Sequence, residues 1–139
     1  MMISTIKIKK RFLAQIKRKV NTSEIKYTTF FDDNLKLNDA DEYYLLRCDL
    51  PSGNTLVITT HQWLIFFQGN EYCVPNSKIN GFTENSYDED LKGEYNKTVN
   101  ISLLTTDNQE FMFEFESGVA TTALMYCLSC IIDFYLVRL

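Results

Sequence analysis

The sequence predicts a mainly β domain with a helix at each end, and three observations predict it. Residues 110–116 alternate, with Phe111, Phe113 and Phe115 on one side and Met112, Glu114 and Glu116 on the other. That period of two is what a strand with one buried face requires. Turn residues then cut 43–116 into short β-rich runs: Pro51-Ser52-Gly53-Asn54, Gly69-Asn70, Pro75-Asn76 and Asp107-Asn108. Directly after the last run, residues 118–132 are fifteen positions without a charge. Seven antiparallel strands, as a barrel or sandwich, leave an open end that an apolar C-terminal helix can cap. An amphipathic helix precedes them.

Taken in order, residues 3–20 read as that first helix. Ile6, Leu13, Ile16 and Val20 fall near one face, with Ile3 and Phe12 beside it and the cations opposite. Residues 21–24, "NTSE", stop it, and 25–31, "IKYTTFF", suit a short strand. Residues 32–42 form an acidic connector carrying Asp32, Asp33, Asp39, Asp41 and Glu42. We therefore divide the chain into 1–42, basic helix plus connector, and 43–139, the β domain. Its strands are expected at 43–50, 55–60, 63–68, 71–74, 77–82, 97–106 and 109–116. His61 and Gln62 sit at one hairpin turn and Gly69-Asn70 at the next. An acidic loop with Glu84, Asp88, Glu89, Asp90 and Glu94 separates the fifth and sixth runs. Ser117 opens the final helix, which runs to about Val137.

At 139 residues the chain is of single-domain size, and 45% hydrophobic content with ten Phe, eight Tyr and one Trp excludes wholesale disorder. Charge is strongly segregated. Lys7, Lys9, Lys10, Arg11, Lys17, Arg18 and Lys19 are half of the fourteen basic residues, and no acid precedes Glu24. The other 119 residues set seven cations against eighteen acids, a net charge of −11. A basic arm on an acidic body bears on partners. No apolar run follows the basic N-terminus, so no secretory signal is expected. Four cysteines without one read as free thiols in a reducing compartment, the cytoplasm by default. The charge-free stretch is shorter than the roughly 20 residues of a spanning helix, and Asp133 follows it; a buried helix is the better reading.

Two stretches carry a resemblance. "LVITTHQWLIFF" (56–67) and "VPNSKINGF" (74–82), with the "TTDNQEFMFEF" hairpin (105–115) and the helix after it, resemble the pleckstrin-homology superfold in its bacterial and GRAM-like branches. The resemblance covers 43–138 and implies seven strands followed by a helix. The basic residue common after the turn is Trp63 here, and the final helix lacks the Trp of eukaryotic members. Phosphoinositide-binding members place cations in the first strand-to-strand loop, whereas this loop, "DLPSGN", has none. Head-group binding there is not supported.

No residue set assembles a catalytic or metal centre. Cys127 and Cys130 lie one turn apart inside an apolar helix, without the second ligand pair of a zinc site or the exposed helix start of a redox pair. They read as buried small hydrophobes. His61 is the only imidazole and has no evident nucleophile or orienting group, so no enzyme and no cofactor is expected. Trp63 either packs in the sheet wall or serves as a contact residue. In the last helix Ala123, Cys127, Cys130, Phe134 and Val137 form one stripe, and Met125, Leu128, Ile132, Tyr135 and Leu139 another. Residues 125 and 127 stand about 200° apart, so a barrel buries one stripe and something else covers the other. The basic helix in cis, or a second copy in a homodimer, can do so.

The function expected is a non-enzymatic binding module whose protein partner, with a basic face, meets the acidic loops and a strand edge, as for an inhibitor or immunity-type protein. Asp88, Glu89, Asp90, Glu94, Trp63, Met125, Leu128 and Ile132 are its candidate contacts. The alternative is a peripheral membrane module anchored by helix 3–20, with Lys7, Lys9, Lys10, Arg11, Lys17, Arg18 and Lys19 against anionic lipid. Nucleic acid is disfavoured by the acidic body.

Overall fold

The computed structural model describes residues 5–32, 41–84 and 98–136. Helix α1 (Ile6–Lys19) and a 3-10 turn (Thr22–Glu24) lead into β1 (Thr28–Phe30). Strands β2 (Tyr44–Asp49), β3 (Thr55–Thr59), β4 (Gln62–Phe67) and β5 (Asn70–Pro75) follow, then a 3-10 turn (Asn76–Lys78). Strands β6 (Ile79–Glu84), β7 (Thr98–Thr105) and β8 (Glu110–Glu116) precede the closing helix α2 (Val119–Leu136). The protein is thus mainly β, with eight strands in two antiparallel sheets, ordered β1-β2-β3-β4-β5 and β6-β7-β8. Among the described residues no ladder joins the two, so the sheets are not closed into a barrel.

Strand register explains the core. Across the first sheet, Phe30, Leu46, Ile58, Trp63 and Val74 are successive cross-strand partners and share its inner face. Cys48, Leu56 and Ile65 form the next inner row, and all but Phe30 are essentially excluded from water. From the second sheet come Ile101, Leu103, Phe113 and Phe115, all buried. Trp63 meets Phe113 edge-on at 5.7 Å, and that contact joins the sheets at the centre. The two sides of "VITTHQWLIFF" are therefore paired core strands, as the pattern predicts, but the residues between them are Thr60 and His61, one position earlier than expected, because Gln62 already pairs with Pro75 in β4.

Two carboxylates on β8 fasten the sheets where no ladder does. Glu116 accepts from the backbone N–H of Lys26 at 2.7 Å and Tyr27 at 2.8 Å, and from the Thr28 hydroxyl at 3.0 Å. Glu114 accepts from Asn54 at 2.6 Å and Ser52 at 2.8 Å in the β2–β3 turn, and from Thr98 at 2.8 Å. Burial alone would raise the Glu114 pKa, but the donors Asn54, Thr98 and Ser52 outweigh it and hold the carboxyl below its ordinary value.

The helices plug one end of this structure side by side. Arg11 pairs with Asp133 at 3.0 Å and the Lys19 ammonium lies 5.3 Å from the Tyr126 ring centroid, so α1 and α2 run antiparallel. Ile8, Phe12 and Ile16 of α1 are buried, Phe12 against the Phe30 ring of β1. Helix α1 and strand β1 therefore belong to the same core as the later strands. Gly118, at φ +81°, makes the sharp entry from β8 into α2.

Three further expectations need correction. The β4–β5 turn is Gln68-Gly69, both at positive φ, one position earlier than the Gly69-Asn70 dipeptide suggests. Asn70 pairs with Phe67 instead; Gly takes the second central position that a tight hairpin needs, and the shift keeps Trp63 and Ile65 facing inward. Residues 76–78 coil as a 3-10 turn, so the fifth expected strand begins at Ile79. Finally, α1 does not cover the Met125 stripe. It lies along Tyr126 and Asp133, beside buried Ala123, Cys127 and Cys130. The sheets meet an adjoining sector with Leu124 and Ile131 buried, so sheet and helix share one broad face of α2.

Candidate functional site

Strand β5 is the outermost strand of the first sheet and pairs only with β4 among the described residues. Asn70, Glu71, Tyr72, Cys73 and Pro75 along it are exposed, and only Val74 is buried. Its far side therefore offers unpaired backbone groups to an added strand. Pro75 suits the position, because a residue without an N–H is tolerated on an edge.

Aromatic and acidic side chains frame this edge. Phe66 is 36% and Tyr72 38% exposed, and Tyr72 stacks on Phe111 of β8 with centroids 5.5 Å apart. On the outer face Asp49, Thr55, Phe66 and Glu71 are cross-strand neighbours in one row. Asp49 is neutralised by Arg47 at 2.7 Å, whose hydrogen bond lowers its pKa. Glu71 is exposed and makes no such ion pair among the described residues. Gly53, Asn54, Phe66, Gly69, Asn70 and Glu71 line an open depression of about 510 Å³ at the start of β5. Its lining contains no cation, so it suits a basic or neutral group and repels a phosphate.

A polar cluster surrounds the turn that holds the only His. Glu42 is 5% exposed; its Oε2 accepts from the Thr59 hydroxyl at 2.6 Å and from Gln62 Nε2 at 2.8 Å. The Thr59 oxygen in turn accepts from the His61 and Gln62 backbone N–H groups at 3.0 and 3.1 Å. His61 Nδ1 stands 3.8 Å from Glu42 Oε1. Tyr135 of α2 donates to the Thr60 carbonyl at 2.8 Å, and Asn76 donates to the Thr59 carbonyl at 3.0 Å. Every one of these bonds satisfies the turn or ties it to its neighbours. Among the described residues no group of three or more His, Cys, Asp or Glu is placed to hold a metal ion.

The structure scatters the predicted contacts. Asp88, Glu89, Asp90 and Glu94 lie outside the described residues. Trp63 is 0% exposed and cannot touch a partner in this fold, because the register that orients Ile65 inward does the same to its ring. Met125 is 53% exposed, with Leu128 and Ile132 half-buried on the same flank. Of the cations, Lys7, Lys10, Arg11, Lys17, Arg18 and Lys19 are exposed, but Lys9 is 1% exposed on the core side of α1 and so unavailable to lipid. Helix α1 also cannot insert into a bilayer as an amphipathic anchor, since its apolar face is already buried by the sheet and α2. Among the described residues no helix is long and apolar enough to cross a membrane. Sequence reasoning missed Phe66, Glu71 and Tyr72; Pro75 was the one local sign that this strand lies on an edge.

No protein-family model and no curated protein matches the chain.

Proposed function

We propose that this chain is a non-enzymatic protein-binding module of pleckstrin-homology-like, GRAM-like architecture. Eight strands in two antiparallel sheets followed by a closing helix support that reading. The observation that carries the binding role is the open β5 edge with Glu71 and Tyr72 exposed on it. A partner's extended segment adds to that edge through backbone hydrogen bonds, a Lys or Arg on its outer-face side meets Glu71, and an apolar side chain on the other face packs on the Tyr72 ring. The acidic sequences at 32–42 and 84–94 steer such a partner from a distance. An inhibitor or immunity-type protein fits this description, acting in the cytoplasm with its four thiols free.

The test is retention of a partner from the native cell at low salt by the full chain and by Glu71→Lys. The wild type retains a basic protein whose binding weakens as salt rises. The variant, folded by circular dichroism, retains none. Retention of no protein at low salt, or equal retention by both forms, refutes the proposal.

A further inference from the structure

Helix α1 carries an arrangement that its own stability argues against. Its first turn contains no acid, while Lys7, Lys10 and Arg11 stand in its N-terminal half, where the helix dipole disfavours positive charge. Lys7 and Lys10, and Lys7 and Arg11, are like-charged neighbours at helical spacing, which is also unfavourable. A surface needing only solvation would mix signs. With Ile8, Phe12 and Ile16 fixed in the core, Lys7, Lys10, Lys17 and Arg18 are held on the solvent side. None of these four makes an ion pair among the described residues, unlike Arg11, which Asp133 neutralises. The result is a cationic band about 17 Å long from Lys7 to Arg18 at 1.5 Å rise per residue, with Asp133 beside it paired to Arg11.

From this we infer that the outer face of α1 docks the folded protein onto an anionic lipid bilayer, by surface electrostatics and without helix insertion. A planar surface that meets the outer face of α1 leaves most of the acidic remainder, net −11 over residues 21–139, in water; of the acids at that end, Asp133 is paired with Arg11 and Asp41 accepts from the Thr5 N–H. A nucleic acid does not favour that separation, and its phosphates have no use for an apolar neighbour. Such a neighbour exists: Met125, on the helix packed beside α1, is 53% exposed and suits the boundary between head groups and acyl chains. This proposal is independent of the β5 edge and uses none of its residues.

The experiment is sedimentation of the full chain with vesicles of phosphatidylcholine alone and of a two-to-one mixture with phosphatidylserine. The protein pellets with the anionic vesicles only and is released by high salt. Replacing Lys7→Ala, Lys10→Ala, Lys17→Ala and Arg18→Ala costs about fivefold in partitioning for each cation removed, hence on the order of a few hundredfold together. The single-site Lys10→Glu variant guards against an unfolded quadruple variant and already loses more than tenfold. The emission of Trp63, buried in the core that α1 helps to cover, is unchanged on binding, since α1 stays in place. Absence of binding to anionic vesicles at low salt overturns the inference. So do equal binding of the charge variants, a Trp63 emission shift that reports α1 peeling away, or tighter retention by duplex DNA than by the vesicles.

Discussion

The helical end and the β5 edge solve opposite problems. At the helical end, α1 and α2 cover the core so completely that Phe12, Ala123, Leu124, Cys127 and Ile131 are at most trivially exposed. At the β5 edge, four consecutive residues from Asn70 to Cys73 face water and one side of the strand is left unpaired among the described residues. Substitutions of the buried residues at the closed end therefore act on folding, and substitutions at the open edge act on binding. The difference separates where a sequence change alters stability from where it alters partners.

The largest contrast lies in thiol reactivity. Burial pushes the Cys127 thiol well above its ordinary pKa, and pushes Cys48 and Cys130 upward as well. Cys73 is exposed on β5. A thiol reagent reaches the buried three only through opening of the fold, so Cys73 reacts faster by on the order of a thousandfold or more. Mass spectrometry of timed alkylation reads this directly. Rapid labelling of Cys127 would show that the helical end is not closed in solution.

Next in size is Phe12→Ala, which removes a fully buried ring packed on Phe30. It costs about 3–5 kcal/mol in urea denaturation if α1 is part of the cooperative core. A loss below about 1 kcal/mol would mean α1 unfolds separately. Glu116→Ala follows, at about 1–3 kcal/mol, because the amides of Lys26 and Tyr27 lose their acceptor. Its neighbour on β8 gives a pH dependence. The Glu114 pKa is lowered in the folded protein, so its contribution is complete above the ordinary carboxylate value and is lost as pH falls through the lower folded value. Glu114→Gln should flatten the acid limb of a stability–pH profile and leave the neutral region's slope unchanged.

These residues also show where the sequence stopped being informative. Alternation in 110–116 and the apolar face of 6–16 depend on neighbours in sequence, so strand β8 and helix α1 were legible. The Glu114 and Glu116 fastenings were not, because their partners lie about 60 and 90 residues away and outward Glu in a strand resembles ordinary solvated charge. The same holds for Lys9: its spacing among six other cations suggests a surface, yet it falls on the core side of α1. The two-stripe pattern of α2 implies a separate cover for each stripe, which the structure does not provide for Met125. It could not show that sheet and α1 would occupy adjoining sectors and leave Met125 open, since that depends on how the sheets are arranged. At the candidate site, strand identity was legible but edge position was not: sheet order is a tertiary property, hinted at only by Pro75.

The smallest expected effect on folding is the most decisive for function. Glu71 is exposed, makes no ion pair among the described residues and is set on the free edge, so Glu71→Lys should change the unfolding free energy by no more than about 0.5 kcal/mol. The same substitution reverses the charge beside the Tyr72 ring and places two cations together when a basic segment arrives. Double-mutant cycles between Glu71→Lys and Tyr72→Ala sharpen this. The two residues face opposite sides of the strand, so their losses of partner affinity should add, as should their effects on urea midpoints. Strong coupling in affinity would place one partner group on both residues, against the alternating faces of the strand, and a stability loss for Glu71→Lys comparable to that of Phe12→Ala would erase the division between a buried interior that folds and an open edge that binds.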